Sequence, residues 1–143
     1  HMSVAGGLVR AVERAAVHRC DALQIFTKNA SQWEAKPLTP EQIAAFRDAV
    51  AREGITPVVS HASYLINLAS HDMTLRQKSM RAMGDELDRA EALGLLGVVV
   101  HPGAHTDSTV DEGLDRIGDA GRLRAEQLSI PQLAQLRDQL EAE

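Results

Sequence analysis

Three short apolar runs, over residues 23–26, 56–61 and 96–100, punctuate the chain at near-regular intervals. Their centres, Ile25, Val59 and Val99, lie 34 and 40 residues apart. Between them the apolar residues recur at helical spacing. Strands separated by helices predict βαβ units, a parallel sheet and right-handed crossovers, which bring every strand C-terminal end to one rim. A complete (β/α)8 barrel takes about 250 residues and rarely fewer than about 200. The 143 residues here are therefore expected to form part of one. The expected fold is α/β: a partial (β/α) barrel, with a parallel sheet of about three strands and helices packed outside it.

The helices can be placed from their faces and ends. Leu8, Val9, Val12, Ala15 and Ala16 form one stripe after Gly6-Gly7. Thr39-Pro40-Glu41-Gln42 is a helix start, with Thr as N-cap and Pro at the first helical position. Ile43, Phe46 and Val50 continue that face up to Gly54. Leu75, Met83, Leu87, Ala90 and Leu93 predict a long helix ending at Gly94. A further helix suits 111–120. After Gly121 the texture changes, and Ser129, Pro131, Leu133, Leu136 and Leu140 suit a tail helix. We expect one unit over 1–121 and a divergent helical tail over 122–143. A half-barrel leaves sheet edges and an inner apolar face uncovered, so self-association is expected.

The formal charge of −5 is unevenly spread. Residues 1–36 carry five cations against three acids, whereas 111–143 carry eight acids against four bases. An acidic chain argues against a broad, non-specific nucleic-acid surface but permits a local phosphate contact. No apolar run approaches the roughly 18 residues of a membrane helix. The single Cys20 has no internal disulfide partner, which favours a reducing, cytoplasmic location.

His61 ends the second run and His101 follows the third, at matching positions in consecutive βα units. Ligands of parallel α/β sheets bind beyond the strand C-terminal ends. Adjacent strands lie about 4.8 Å apart, so two such imidazoles can reach one zinc ion at about 2.0–2.1 Å each. Each histidine alone reads as a strand cap; the matched pair favours a metal site. His105, in the turn after His101, is a candidate to support a ligand or a plain loop residue. His18 and His71 read as surface residues. The loop Phe26-Thr27-Lys28-Asn29-Ala30-Ser31-Gln32-Trp33 has the composition to meet phosphates and stack on a base. On composition alone, however, Trp33 packs on the sheet edge and Lys28 stays in solvent. Tyr64-Leu65 suits either a wedge into a bent duplex or an apolar lid.

Taken together, His1-Met2-Ser3-Val4-Ala5-Gly6-Gly7-Leu8, Phe26-Thr27-Lys28-Asn29 with Gln32-Trp33, His61-Ala62-Ser63-Tyr64-Leu65-Ile66-Asn67-Leu68 and His101-Pro102-Gly103-Ala104-His105 resemble endonuclease IV. That is the zinc-dependent apurinic/apyrimidinic endonuclease family of the xylose isomerase-like TIM barrels, and the resemblance covers its N-terminal half. It implies a hydrolase of DNA repair that cuts double-stranded DNA 5′ to abasic sites. It implies that His61 and His101 are ligands of one zinc in a three-metal cluster. It also implies that Asn29 and Gln32 touch DNA, and that Tyr64 and Leu65 enter the duplex beside the abasic nucleotide.

The departures are specific. Ser31 stands where the family usually carries an arginine. The family's first strand would precede His1, and its metal-bridging glutamate would lie just beyond residue 120, where the stretch from Arg122 to Glu143 resembles nothing in the family. Two ligands do not close a zinc site, which takes about four. Two other functions therefore stand beside the nuclease. One is a non-enzymatic, self-associating half-barrel. The other is a sugar isomerase or epimerase on the same scaffold, disfavoured because the strand ends offer His, Lys and Asn but no carboxylate.

Overall fold

The computed structural model describes residues 1–127. The element order is α1 (Leu8–Val17), β1 (Leu23–Ile25), α2 (Pro40–Glu53), β2 (Val58–His61), α3 (Met73–Leu93), β3 (Val98–Val99) and α4 (Val110–Gln127). The sheet order is β1-β2-β3, parallel throughout. Gln24 pairs with Val59, and His61 with Val99. This is the expected α/β partial barrel. The tail helix expected from Pro131 lies outside the described residues.

Local chemistry sets the helix ends. Thr39 caps α2 reciprocally: its hydroxyl accepts from Gln42 N–H at 3.2 Å, and Gln42 Oε1 accepts from Thr39 N–H at 3.0 Å. Gly54 closes the helix in the left-handed region, at φ 66°. Asp72 caps α3 by accepting from Thr74 and Leu75 N–H. A second reciprocal cap starts α4, where Glu112 accepts from Thr109 N–H at 2.9 Å and Thr109 Oγ1 accepts from Glu112 N–H. The Thr109 backbone N–H, helped by its hydroxyl, holds the Glu112 carboxyl below the ordinary glutamate range.

The main core lies between the sheet and α1, α2 and the end of α3. Ala11, Val12, Ala15, Leu23, Ile25, Phe46, Ala49, Ile55, Val58 and Leu93 fill it. Alternation along the strands then sends Gln24, Val59 and Val99 to the opposite face. Gln24 and Val59 are half-buried there and Val99 is 43% exposed. A smaller cluster, Ala62, Ile66, Leu68, Ala82 and Ala120, joins the loop after β2 to α3 and α4.

Three expectations shift. The third strand, the strongest on composition, forms only over Val98–Val99. Among the described residues it pairs with β2 alone. The buried stripe of α3 is Ser79, Ala82, Glu86, Arg89, Ala90 and Leu93; Leu75, Met83 and Leu87 are only half-buried. Helix α4 runs through Gly121 to Gln127, although it holds three interior glycines, Gly113, Gly118 and Gly121, each costing a helix about 1 kcal/mol. No helix among the described residues is long and apolar enough to cross a membrane.

Candidate metal and nucleic-acid site

The parallel register brings Phe26, His61 and His101 to one rim of the open sheet face. His61 sits at the end of β2, level with Val99, and His101 follows two residues beyond. Their ring centroids are 5.2 Å apart. Around His61 stand Phe26 at 5.4 Å, Tyr64 at 5.3 Å and His1 at 6.3 Å between ring centroids. His61 is buried, at 8% exposure, while His101 is exposed. The Nδ1 of His61 lies 2.8 Å from the Ala62 carbonyl oxygen. A carbonyl only accepts, so Nδ1 carries a proton, and in the neutral ring the lone pair then lies on Nε2. That tautomer suits a metal ligand.

The two rim loops are fastened by α3. Glu86, 1% exposed, accepts from the Thr27 hydroxyl at 2.8 Å through Oε2 and from Ser63 N–H at 3.1 Å through Oε1. Thr27 follows β1 and Ser63 follows β2, so one carboxylate spans both loops. Lys28 Nζ lies 2.6 Å from Asp85 Oδ2 and 3.7 Å from Glu86 Oε1, and donates to the Trp33 carbonyl at 3.1 Å. Arg89 donates to the Thr27 and Lys36 carbonyls. The expectation that Lys28 stays in solvent is corrected here: its side chain is 1% exposed. Two carboxylates from one turn of α3 make that burial tolerable.

On this frame Asn29 and Gln32 lie exposed. Asn29 Oδ1 accepts from Ser31 N–H at 2.9 Å, a side-chain turn that shapes the loop. Tyr64 is 66% exposed and Leu65 half-buried. Tyr64 N–H and the Ser63 hydroxyl both donate to the Ala30 carbonyl, so the Tyr64–Leu65 tip rests against the Asn29 loop. His105 is half-buried, with Nδ1 2.7 Å from the Ser108 carbonyl. That contact braces the loop after β3 and joins His105 to neither His61 nor His101. His18 and His71 are exposed. Among the described residues no group of three or more His, Cys, Asp or Glu side chains is placed to hold a metal.

The family model described as xylose isomerase-like TIM barrel matches residues 12–127. The chain belongs to that family. It is 49% identical over 120 residues to the protein named "Probable endonuclease 4" of Chloroflexus aurantiacus, covering 84% of this chain and 42% of that protein. It is 48% identical over 127 residues to the protein of the same name from Chloroflexus aggregans, covering 88% and 44%. The solved structure of endonuclease IV from Thermus thermophilus superposes with a TM-score of 0.72 at 35% identity, covering 85% of this chain and 44% of that one. SacUVDE, at 17% identity and a TM-score of 0.62, shares the fold. The chain thus spans less than half the length of the relatives it matches, from their N-terminal part.

Within the TIM barrel family, the rim is where variable chemistry sits on a common scaffold. The motif residues fall on this rim. What sequence reasoning missed is the network beneath it that ties Thr27, Lys28 and Ser63 to Asp85, Glu86 and Arg89. A signal for it existed. Glu86 lies on the same helical stripe as Ser79, Ala82, Ala90 and Leu93, and a carboxylate on an apolar stripe needs a buried partner.

Proposed function

We propose that this chain is the N-terminal part of a zinc-dependent phosphodiesterase of the endonuclease IV type, which cleaves double-stranded DNA 5′ to abasic sites in base excision repair. The single observation that carries the reading is the convergence of His61 and His101 on one rim. The residues fit zinc in kind: two adjacent imidazoles, one with Nε2 left as its lone-pair nitrogen. They supply two ligands of about four, and further donors have to come from elsewhere.

His61 and His101 would hold the ion, which when bound supplies positive charge beside a scissile phosphate. Phe26 and Tyr64 wall the pair and limit water around it. Asn29 and Gln32 present amide donors and acceptors toward a backbone, and their loop positions a duplex rather than reading its sequence. Tyr64 and Leu65 form the apolar tip suited to enter an opened base step. His105 keeps the loop after His101 in place. A DNA-repair role suits a cytoplasmic location, beside the substrate.

The test is cleavage of a duplex carrying one abasic site. His105→Ala, which loosens the loop after β3 without touching either imidazole, is expected to cost about 10-fold or less, the low end for a residue bonded to a ligand. His61→Ala and His101→Ala are expected to cost more than that. Equal, small effects of all three would remove the metal reading.

The open sheet face favours a second reading of this chain by itself. Val99, on that face, is 43% exposed, and among the described residues β3 pairs on one side only. Self-association would cover both. Bound zinc without cleavage supports this non-enzymatic half-barrel, and a monodisperse monomer in light scattering at high concentration argues against it.

A further inference from the structure

A cleft of about 550 Å³ opens between residues 33–35 and one face of α3. Thr74, Gln77, Lys78, Arg81 and Asp85 recur along that face at helical spacing, and the Trp33 ring forms the opposite wall. The Lys78 ammonium stands 4.5 Å from the centre of the Trp33 ring, a cation–π arrangement. Lys78 and Arg81 are both exposed, and neither is in an ion pair among the described residues.

The lining carries two cations, Lys78 and Arg81, and two acids, Glu34 and Asp85. Asp85 is neutralised from behind by Lys28 at 2.6 Å, which leaves Glu34 as the acid facing Lys78 and Arg81 in the lining. Both walls are also fixed before anything binds. The same buried Lys28 that grips Asp85 on α3 donates to the Trp33 carbonyl at 3.1 Å. The cleft begins next to the Asn29–Gln32 loop, so a strand lying on that loop continues toward it. Two unpaired cations, two neutral hydrogen-bonding side chains and a rigid aromatic plane, on a chain of net charge −5, suit a polyanionic strand.

We propose that the Trp33–Lys78–Arg81 cleft binds backbone phosphates of a DNA duplex flanking the rim site. The proposal rests on the DNA-binding reading above and extends its surface outward from the two histidines.

Trp33 is the only tryptophan of the chain, so its emission reports directly on this cleft. The experiment titrates the full chain with a short labelled duplex at several salt concentrations, following label anisotropy and tryptophan emission together. The wild type is expected to change its emission as the duplex saturates. Lys78→Ala with Arg81→Ala should lower the slope of log affinity against log salt by about 1.8, since each phosphate contact contributes about 0.9. Arg52→Ala, which removes an exposed cation near the far end of α2, should leave the slope unchanged. Wild-type binding with silent Trp33 emission overturns the cleft, as does an unchanged slope in the double variant; DNA binding then stands without it. A wild type that binds no duplex at all overturns both readings.

Discussion

Glu86→Ala is expected to destabilise the protein by about 3–5 kcal/mol, the usual cost of removing one partner from a buried charged network. Burial decides the size. The exposed pair Arg10–Glu13, with side chains 63% and 41% exposed, is worth about 1 kcal/mol or less. Glu86 is 1% exposed, and its loss leaves the Thr27 hydroxyl, the Ser63 N–H and part of the Lys28 charge without their acceptor. Glu86→Gln keeps an acceptor oxygen but no charge, and should lose less, about 1–3 kcal/mol. Urea unfolding followed by circular dichroism measures both. An alanine variant within about 1 kcal/mol of wild type would contradict the role assigned to α3, which is to hold the two rim loops in one register.

Gly103→Ala is the second large effect. Gly103 has φ +106°, and a Cβ added there would stand 2.0 Å from Asn67 Oδ1 and 2.7 Å from the Asn67 Cα. The second contact is with backbone and cannot be relieved by a rotamer. Strain at the dihedral costs about 1–3 kcal/mol and overpacking a further 1–3 kcal/mol or so. The loop after β3 would have to lift from the segment it is tied to, where Leu68 and Ala69 N–H donate to the Pro102 carbonyl and Ala104 N–H donates to Asn67 Oδ1. His101 lies two residues before Gly103, so the variant should lose stability and move the His101 ring. Nuclear magnetic resonance of the histidine side chains reads this directly. Unperturbed His61 and His101 signals at wild-type stability would contradict it.

The scaffold was legible because its signals are local or periodic. Thr39 and Pro40 announce α2, Gly54 and Gly94 end their helices, and β-branched residues mark β2. The rim histidines were legible because parallel strands fix which end of each strand faces a ligand. The network under the rim was hidden, because it joins residues as much as 62 positions apart, such as Thr27 and Arg89. Composition gives Lys28 a solvated reading, and only packing shows that Asp85 and Glu86 meet it. The α3 stripe was displaced for a related reason. Large apolar residues such as Leu75 and Leu87 outweigh a small or charged residue in a pattern count, yet Ser79, Ala82 and Glu86 are what the crowded interface admits. The shortness of β3 was hidden too, since strand propensity is blind to whether a neighbouring strand exists on both sides.

The proposed zinc site rests on two imidazoles at neighbouring strand ends, 5.2 Å apart between ring centroids. Equilibrium dialysis of the chain against zinc, with metal analysis of wild type, His61→Ala and His101→Ala, tests it most directly. Zinc uptake by the wild-type chain that falls in both variants, while their circular dichroism stays native, is the predicted result. Zinc retained equally by either variant, or absent from the wild type, would contradict the account.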